Sequence, residues 1–185
     1  WRIIGFAREE RSVFLSILGI SWFWFFGSAM TLQMPAYTLD ILHGNEFVTT
    51  CLLATFAIGV GIGSLLCERL SGHRIELGLV PFGSIGLSLF AVDLYFAQPL
   101  ASSGSLATVG EFLSEPRSWR VLADLTMLGA FGGFYSVPLY AIIQARAKRQ
   151  HLSRIIAANN IINALFMVGA SLLSIAVLSA GFSIP

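Results

Sequence analysis

Five long stretches of the chain are apolar on every side of a helix, and most charged residues lie between them. Each has about the 20 residues that a helix needs to cross a bilayer, and none holds more than two charged side chains. A helix on the surface of a soluble protein would carry one polar face. The pattern therefore predicts five transmembrane helices, over about residues 12–36, 47–67, 77–97, 119–145 and 155–180.

This pattern predicts an all-α fold, a polytopic membrane helix bundle with no separate soluble domain between the spans. Composition agrees, because 56% of the 185 residues are hydrophobic, only 11% are charged, and the mean hydropathy is +0.78. A soluble domain carries about a quarter charged residues. The formal net charge of +1 argues against a nucleic-acid partner, which would require a basic patch.

Basic residues are concentrated in alternate segments between the spans, which predicts the orientation of the chain. Nine of the eleven lie before the first span or in the loops between spans two and three and between spans four and five: Arg2, Arg8, Arg11, Arg69, Arg74, Arg146, Lys148, Arg149 and Arg154. Basic loops stay in the cytoplasm. We therefore expect a cytoplasmic N-terminus and, after five spans, an external Pro185.

The fifth span begins with three asparagines in an otherwise apolar run. Asn159, Asn160 and Asn163 fall within an arc of about 100° on one helix. Amides in hydrocarbon must find polar partners, so this face is expected to turn toward the bundle. Two interpretations stay open: the amides bond one helix to another near the cytoplasmic end, or they line an inner vestibule that meets a polar headgroup.

Three other polar residues within the spans are candidates for a substrate path. Gln33 is the only amide of the first span, and Pro35 is expected to break that helix toward the outside. Asp124 either pairs with Arg120 one turn earlier or forms the outer mouth of a polar cavity. The hydroxyl of Tyr135 serves either packing or the same path.

Glycines predict close helix packing in the second and fourth spans. Gly59 and Gly63 form a G-x-x-x-G face on the second span. Gly129, Gly132 and Gly133 leave the fourth span without side-chain bulk, so that neighbouring helices can approach closely. Pro138, later in the fourth span, removes a backbone hydrogen bond and kinks the helix. It is either a hinge in a gating helix or an ordinary kink.

The loop after the second span resembles the loop motif of the major facilitator superfamily. Glu68 corresponds to the acid of that motif, Arg69 to its first basic residue, Gly72 to its glycine, and His73 with Arg74 to its basic pair. Arg69 and Gly72 are separated by one residue more than the corresponding positions of the motif. The resemblance implies that this loop is a gating latch. The alternative is that the two arginines only reflect the positive-inside rule, since any cytoplasmic loop is rich in basic residues.

Residue patterns typical of catalysis and metal binding do not occur in the sequence. The histidines have no metal-ligand spacing, and no clustered His/Asp/Glu or Ser/His set shares one membrane depth. Cys51 and Cys67 are interpreted as small hydrophobic residues. We therefore expect no catalytic residues, no metal and no cofactor, and we expect that this chain is not an enzyme.

Five strings carry a resemblance that covers essentially the whole chain: S-W-F-W-F-F-G, L-Q-M-P-A-Y, E-R-L-S-G-H-R-I-E-L-G-L-V-P, G-G-F-Y-S-V-P-L-Y-A-I-I-Q, and R-I-I-A-A-N-N-I-I-N-A-L-F-M-V. They resemble the bacterial lysophospholipid transporters of the major facilitator superfamily. The resemblance places residues 1–185 at helices 7 to 11 of the usual twelve, as part of the C-terminal half. We expect a fragment also because Trp1 opens the chain without an initiator Met and the span count is odd.

The resemblance implies transport of lysophosphatidylethanolamine-like lipids across the bacterial inner membrane by alternating access. It implies membrane lipid, a lysophospholipid substrate and the N-terminal six-helix half as partners, with fused acyltransferase and synthetase domains in some relatives. Two alternatives stay open. One is a major facilitator transporter for another small molecule, and the other is a membrane anchor for a lipid-acylating enzyme.

Overall fold

The computed structural model describes residues 10–72, 74–97 and 105–182, and over these ranges the chain is an all-α bundle. It contains six α-helices, which are α1 Arg11–Ala36, α2 Glu46–Leu70, α3 Leu79–Phe96, α4 Val109–Ser114, α5 Ser118–Arg146 and α6 Leu152–Ser179. A π-helical turn, Tyr37–Ile41, extends α1, and a 3-10 turn, Arg149–His151, precedes α6. Among the described residues, all the helices except α4 are long and apolar enough to cross a membrane. The predicted all-α bundle with five spans is confirmed.

The prediction that Pro35 breaks the first helix is wrong. Helix α1 runs through Pro35 to Ala36 and continues as the π-helical turn. Proline removes one backbone donor, and the wider turn that follows keeps the later donors paired, as in the bond from the Leu42 N–H to the Tyr37 carbonyl (3.1 Å). The hydroxyl of Thr38 also donates to the Met34 carbonyl (2.8 Å). The chain therefore stays helical until Ile41.

Contacts between helices show that they alternate in direction. Gly59 and Gly63 of α2 meet Thr126 and Ala130 of α5 in the same order along both helices, so these two are parallel. Helix α1 is parallel to α6, since Ser21 bonds Asn163 and Gln33 bonds Ser174. Helix α3 runs antiparallel to α5, since Gly83 meets Tyr135 and Gly86 meets Phe131. Helix α1 is also antiparallel to α5, since Gly19 meets Leu139 and Phe23 meets Gly132.

This alternation gathers positive charge at one end of the bundle, which we call the basic end. Arg11 begins α1, Arg69 lies in the last turn of α2, Arg146 ends α5, and Arg149 lies in the turn before α6. The opposite end holds the acidic residues Asp40, Glu46, Glu111 and Glu115. The charge asymmetry is a property of the fold, and the side of the membrane that each end faces stays a prediction from the positive-inside rule.

Helix α5 is the centre of the bundle and packs against α1, α2 and α3. Its first half lies in a hydrophobic cluster with Met34, Leu52 and Phe112 near the opposite end. Its second half lies in a separate cluster with Ile17 and Ile162 near the basic end. Helix α6 packs chiefly against α1 and leaves most of its surface uncovered.

Backbone contact between α2 and α5 joins these two clusters. A Cβ at Gly59 would collide with the Thr126 carbonyl, and one at Gly63 with the Ala130 carbonyl. A Cβ at Gly129 or Gly133 would collide with the α2 backbone in return. The predicted role of these glycines in close packing is confirmed, and Gly132 makes the same kind of approach to the ring of Phe23 on α1.

Helix α4 lies in the segment that joins α3 to α5. The helix begins at a capping box in which the Glu111 N–H donates to the Thr108 hydroxyl and the Thr108 N–H donates to the Glu111 carboxylate (2.8 Å). This backbone hydrogen bond, with a second from the Thr108 hydroxyl, holds the pKa of Glu111 below its ordinary value. Phe112 anchors the helix in the hydrophobic cluster of the opposite end.

Candidate functional site

An ion pair between α3 and α5 marks the opposite end of the bundle. The Arg120 guanidinium donates through Nε to Oδ2 of Asp93 (3.2 Å) and through Nη2 to Oδ1. Both side chains are partly exposed. The alternative in which Arg120 pairs with Asp124 on its own helix is wrong, because α3 lies against α5 and brings Asp93 to the guanidinium.

Asp124 lies one turn further along α5 and is buried, with 3% of its surface exposed. Its Oδ2 atom has no hydrogen-bond partner. Tyr37, at the start of the π-helical turn, is 7% exposed, and its hydroxyl is also without a partner. The two groups are close enough for the charge of Asp124 to act on the phenol. Buried polar atoms are nearly always paired, and the Asp124 side chain has a polar neighbour, because its carboxyl group lies within hydrogen-bonding reach of the Asp93 carboxyl group.

A cleft of about 200 Å³ adjoins this polar pair. It lies between α1 and α3 with Leu128 of α5 at its floor, and Tyr37 is part of its wall. Its other lining residues are Phe26, Ala29, Met30, Gln33, Met34, Ala91, Leu94 and Tyr95. Asp124 does not line the cleft and precedes the lining residue Leu128 by about one helical turn. The arrangement is an apolar slot that ends near buried polar atoms.

Gln33 contributes the polar side chain of the cleft wall. Its Nε2 donates to the Ser174 hydroxyl of α6 over 3.4 Å, at the long end of the hydrogen-bond range, and the side chain is half-buried. The Gln33 amide therefore faces a neighbouring helix. Of the predicted path residues, Gln33 lines this cleft, whereas Asp124 does not.

The asparagines of α6 do not share one buried face. Asn163 accepts a hydrogen bond from the Ser21 hydroxyl of α1 (2.8 Å), and both residues are buried. Asn159 is buried one turn earlier, while Asn160 is exposed. The expectation that all three turn inward is wrong for Asn160, because α6 packs chiefly against α1 and that contact covers only the Asn159–Asn163 edge of the arc.

Tyr135 lies in the middle of α5, away from the cleft described above. Its hydroxyl donates to the Gly19 carbonyl of α1 (3.2 Å), and its ring lies 6.1 Å from that of Phe23 between centroids. This is an interhelical bond, which is the packing alternative for Tyr135. Trp24 Nε1 makes a similar bond to the Tyr140 hydroxyl (3.1 Å).

The loop motif lies at the basic end, against the segment of α5 that contains Pro138. Glu68, Arg69 and Arg74 are exposed, and Gly72 adopts a left-handed conformation with φ of 55°. A second hollow of about 260 Å³ separates this loop from Pro138 and holds Glu68 and Arg74 in its wall. Pro138 lies inside one continuous helix. The motif's His73 lies outside the described residues, and the latch and hinge roles stay predictions.

No group of three or more metal-ligating side chains comes together within the ranges that the structure describes. In comparisons with known proteins the chain matches no family model, no curated protein and no solved structure.

Asp93, Tyr37 and the pairing of Arg120 were missed as parts of a site by reasoning from the sequence. A signal for Asp93 was present, since it is the only charged residue of the third span. Nothing in the sequence marked Tyr37, because its burial depends on how the helices pack around it.

Proposed function

We propose that this chain belongs to a transporter of single-chain phospholipids, similar to the lysophospholipid transporters of the major facilitator superfamily. The observation that carries the proposal is the apolar cleft between α1 and α3, which has the polar groups of Gln33 and Tyr37 in its wall. A lysolipid has one acyl chain and a polar headgroup, and this shape matches an apolar slot with a polar end. The resemblance of the sequence adds the lysophosphatidylethanolamine-like substrate and the bacterial inner membrane.

The packing of the bundle supports a mobile carrier with a rigid centre. The backbones of α2 and α5 touch through glycines, so these helices keep one relative position. In alternating access, one such bundle rocks against a second around a site near the midplane. The N-terminal six-helix half is proposed as that second bundle, and the loop motif with Pro138 is proposed as the latch between states.

A cleft-filling substitution tests the function in the full-length protein. Ala29 lines the cleft, so Ala29→Trp would occupy it, whereas Ala54 is exposed on α2 and Ala54→Trp provides a matched control. In proteoliposomes with a labelled lysophosphatidylethanolamine, we expect wild type and Ala54→Trp to move the lipid and Ala29→Trp to lose most of that activity. Equal activity of both variants would contradict a transport path through this cleft.

Two rival functions give different results in the same vesicles. A transporter for another small molecule would leave the lysolipid in place in wild type. A membrane anchor for a lipid-acylating enzyme would move no lysolipid in any variant, and removal of the bundle would disperse the enzyme activity into the soluble fraction.

A further inference from the structure

Positive charge at the basic end is concentrated in the connection between α5 and α6. The other described segments of this end, residues 10–11, 68–72 and 74–76, contain three arginines and three glutamates, so their charges balance. No acidic residue follows Asp124 in the sequence. The excess positive charge at this end of the described chain therefore lies in the connection, on Arg146, Lys148, Arg149 and Arg154.

The connection is short and ordered, so its charges stay close together. Arg146 ends α5, and the 3-10 turn leads directly into α6. Before α6 begins, the His151 N–H donates to the Lys148 carbonyl (2.8 Å). All four basic side chains of the connection are exposed. The His151 side chain makes no capping hydrogen bond to α6, so the dipole of that long helix adds to the positive potential at this place.

One face of α6 continues from this charge as an uncovered apolar stripe. At 100° per residue, Ile161, Leu165 and Leu172 lie within about 20° of Arg154 around the helix. These side chains are exposed, because α6 packs chiefly against α1 through a different face. Leu165 lies about 16 Å along the helix from Arg154, which is about half the thickness of the hydrocarbon core. The stripe therefore has the length that the acyl chains of one leaflet reach.

A lipid with a net negative headgroup matches both parts of this surface. The phosphate of a phosphatidylglycerol-type lipid has no amine of its own, so its charge is available to Lys and Arg side chains. A zwitterionic headgroup brings its own cation, which a basic cluster repels. Basic residues that lie next to a membrane helix attract anionic lipids, with about a fivefold gain in affinity for each residue. A free phosphate ion would use the charges but not the apolar stripe.

We propose that the connection between α5 and α6, together with the exposed face of α6, binds an anionic two-chain phospholipid of the surrounding leaflet. Its phosphate lies among the four basic side chains of the connection, and its acyl chains lie along the stripe of Ile161, Leu165 and Leu172. This surface is separate from the cleft between α1 and α3, and it does not depend on the substrate proposed for that cleft. It gives the bundle a preferred neighbouring lipid.

Lipid retention by the purified full-length protein in detergent tests the proposal. Phosphatidylglycerol and phosphatidylcholine with the same two acyl chains compete for the protein, and native mass spectrometry measures how much of each stays bound. Glycerophosphoglycerol, the headgroup without chains, is the competitor in a separate arm. Arg146→Gln/Arg149→Gln removes one arginine from the last turn of a helix and one from the connection after it. Arg69→Gln/Arg74→Gln makes the same change after α2 and is the matched control.

We expect wild type to retain phosphatidylglycerol in preference to phosphatidylcholine at low salt. Arg146→Gln/Arg149→Gln should lose about 25-fold of that preference, because each of the two charges contributes about fivefold. The control should keep the preference, since the two variants change the net charge equally and differ only in location. Arg146→Lys/Arg149→Lys should also keep it, because lysine has the same charge. Glycerophosphoglycerol should displace little of the bound lipid.

Equal retention of the two lipids by wild type would overturn the proposal. A preference that both glutamine variants lose alike would also overturn it, because the preference would then follow net charge rather than location. Complete displacement by glycerophosphoglycerol would do the same, because the apolar stripe would then play no part. Loss of retained phosphatidylglycerol in Ala29→Trp would place the lipid in the cleft instead.

If Arg146→Gln/Arg149→Gln does not fold, the salt dependence of wild type decides. At about 1 M salt the screening length falls to about 3 Å, so the preference for phosphatidylglycerol should disappear. A preference that persists at that salt concentration would overturn the proposal.

Discussion

Arg120 of α5 and Asp93 of α3 form a two-point ion pair across the interface between their helices. The pair leaves the carboxylate of Asp124, one turn along α5 from the arginine, without that cation. This interhelical contact thus joins two spans at the opposite end of the bundle and assigns the guanidinium to Asp93.

The ion pair should be specific but weak, because both side chains are partly exposed. Arg120→Gln and Asp93→Asn should each lower the melting temperature slightly at low salt, and the double variant should lower it no further. High salt should remove the difference. Thermal unfolding in detergent measures this, with Arg117→Gln, at a neighbouring exposed arginine, as the control. Additive effects of the two substitutions would contradict a direct pair.

The contact between α2 and α5 should tolerate no side chain at Gly63. A valine there would press against the backbone of Ala130, and overpacking of this kind costs about 3 kcal/mol or more where the backbone cannot yield. Gly61 is on the same helix with open space around it, so Gly61→Val is a matched control. Unfolding of both variants in detergent compares them, and similar stabilities would contradict the contact.

The buried bond between Ser21 and Asn163 should hold α6 to α1. Ser21→Ala leaves the Asn163 carbonyl oxygen without its donor and should cost about 1 kcal/mol, in the range for hydrogen bonds within membranes. Asn160→Ala, on the exposed side of the same helix, should change stability little. Chemical unfolding measures the stability of both variants. A larger loss of stability in Asn160→Ala than in Ser21→Ala would mean that α6 is rotated so that Asn160 faces the bundle.

The orientation of the bundle can be measured with single cysteines in a chain that lacks Cys51 and Cys67. Ser114 is exposed at the opposite end and Ser153 at the basic end. The positive-inside rule predicts that a membrane-impermeant maleimide labels Ser114→Cys in intact cells and labels Ser153→Cys only after the cells are permeabilised. The reverse pattern would show an external basic end.

The capping box of α4 should weaken in acid. The pKa of Glu111 is lowered in the folded chain, so its contribution to stability is present above the ordinary glutamate pKa of about 4.3 and is lost as the pH falls through the lower folded value. Glu111→Gln should remove this pH dependence. Amide hydrogen exchange of Val109–Ser114 between neutral and acidic pH measures it, with Glu115→Gln as the control.

The helix positions could be predicted from the sequence, because a helix that crosses hydrocarbon must be apolar on all sides over about 20 residues. The close contacts at glycines could be predicted from their spacing, because a residue without a side chain lets any neighbouring helix approach closely. The rotation of α6 was less predictable. Which of Asn159, Asn160 and Asn163 is buried depends on how much of the arc one neighbour covers, and that is a tertiary property. Pairing of Arg120 with Asp93 likewise depends on the height at which α3 passes α5.

The π-helical turn at Tyr37–Ile41 has a consequence for how this site could have arisen. A turn of this kind is equivalent to one residue inserted into a regular helix, which rotates everything after it by about 100°. Deleting one residue from the turn would restore ideal winding and swing the residues that follow it onto another face. The local winding defect, rather than any single side chain, therefore fixes the register in which the end of the first helix meets the second span.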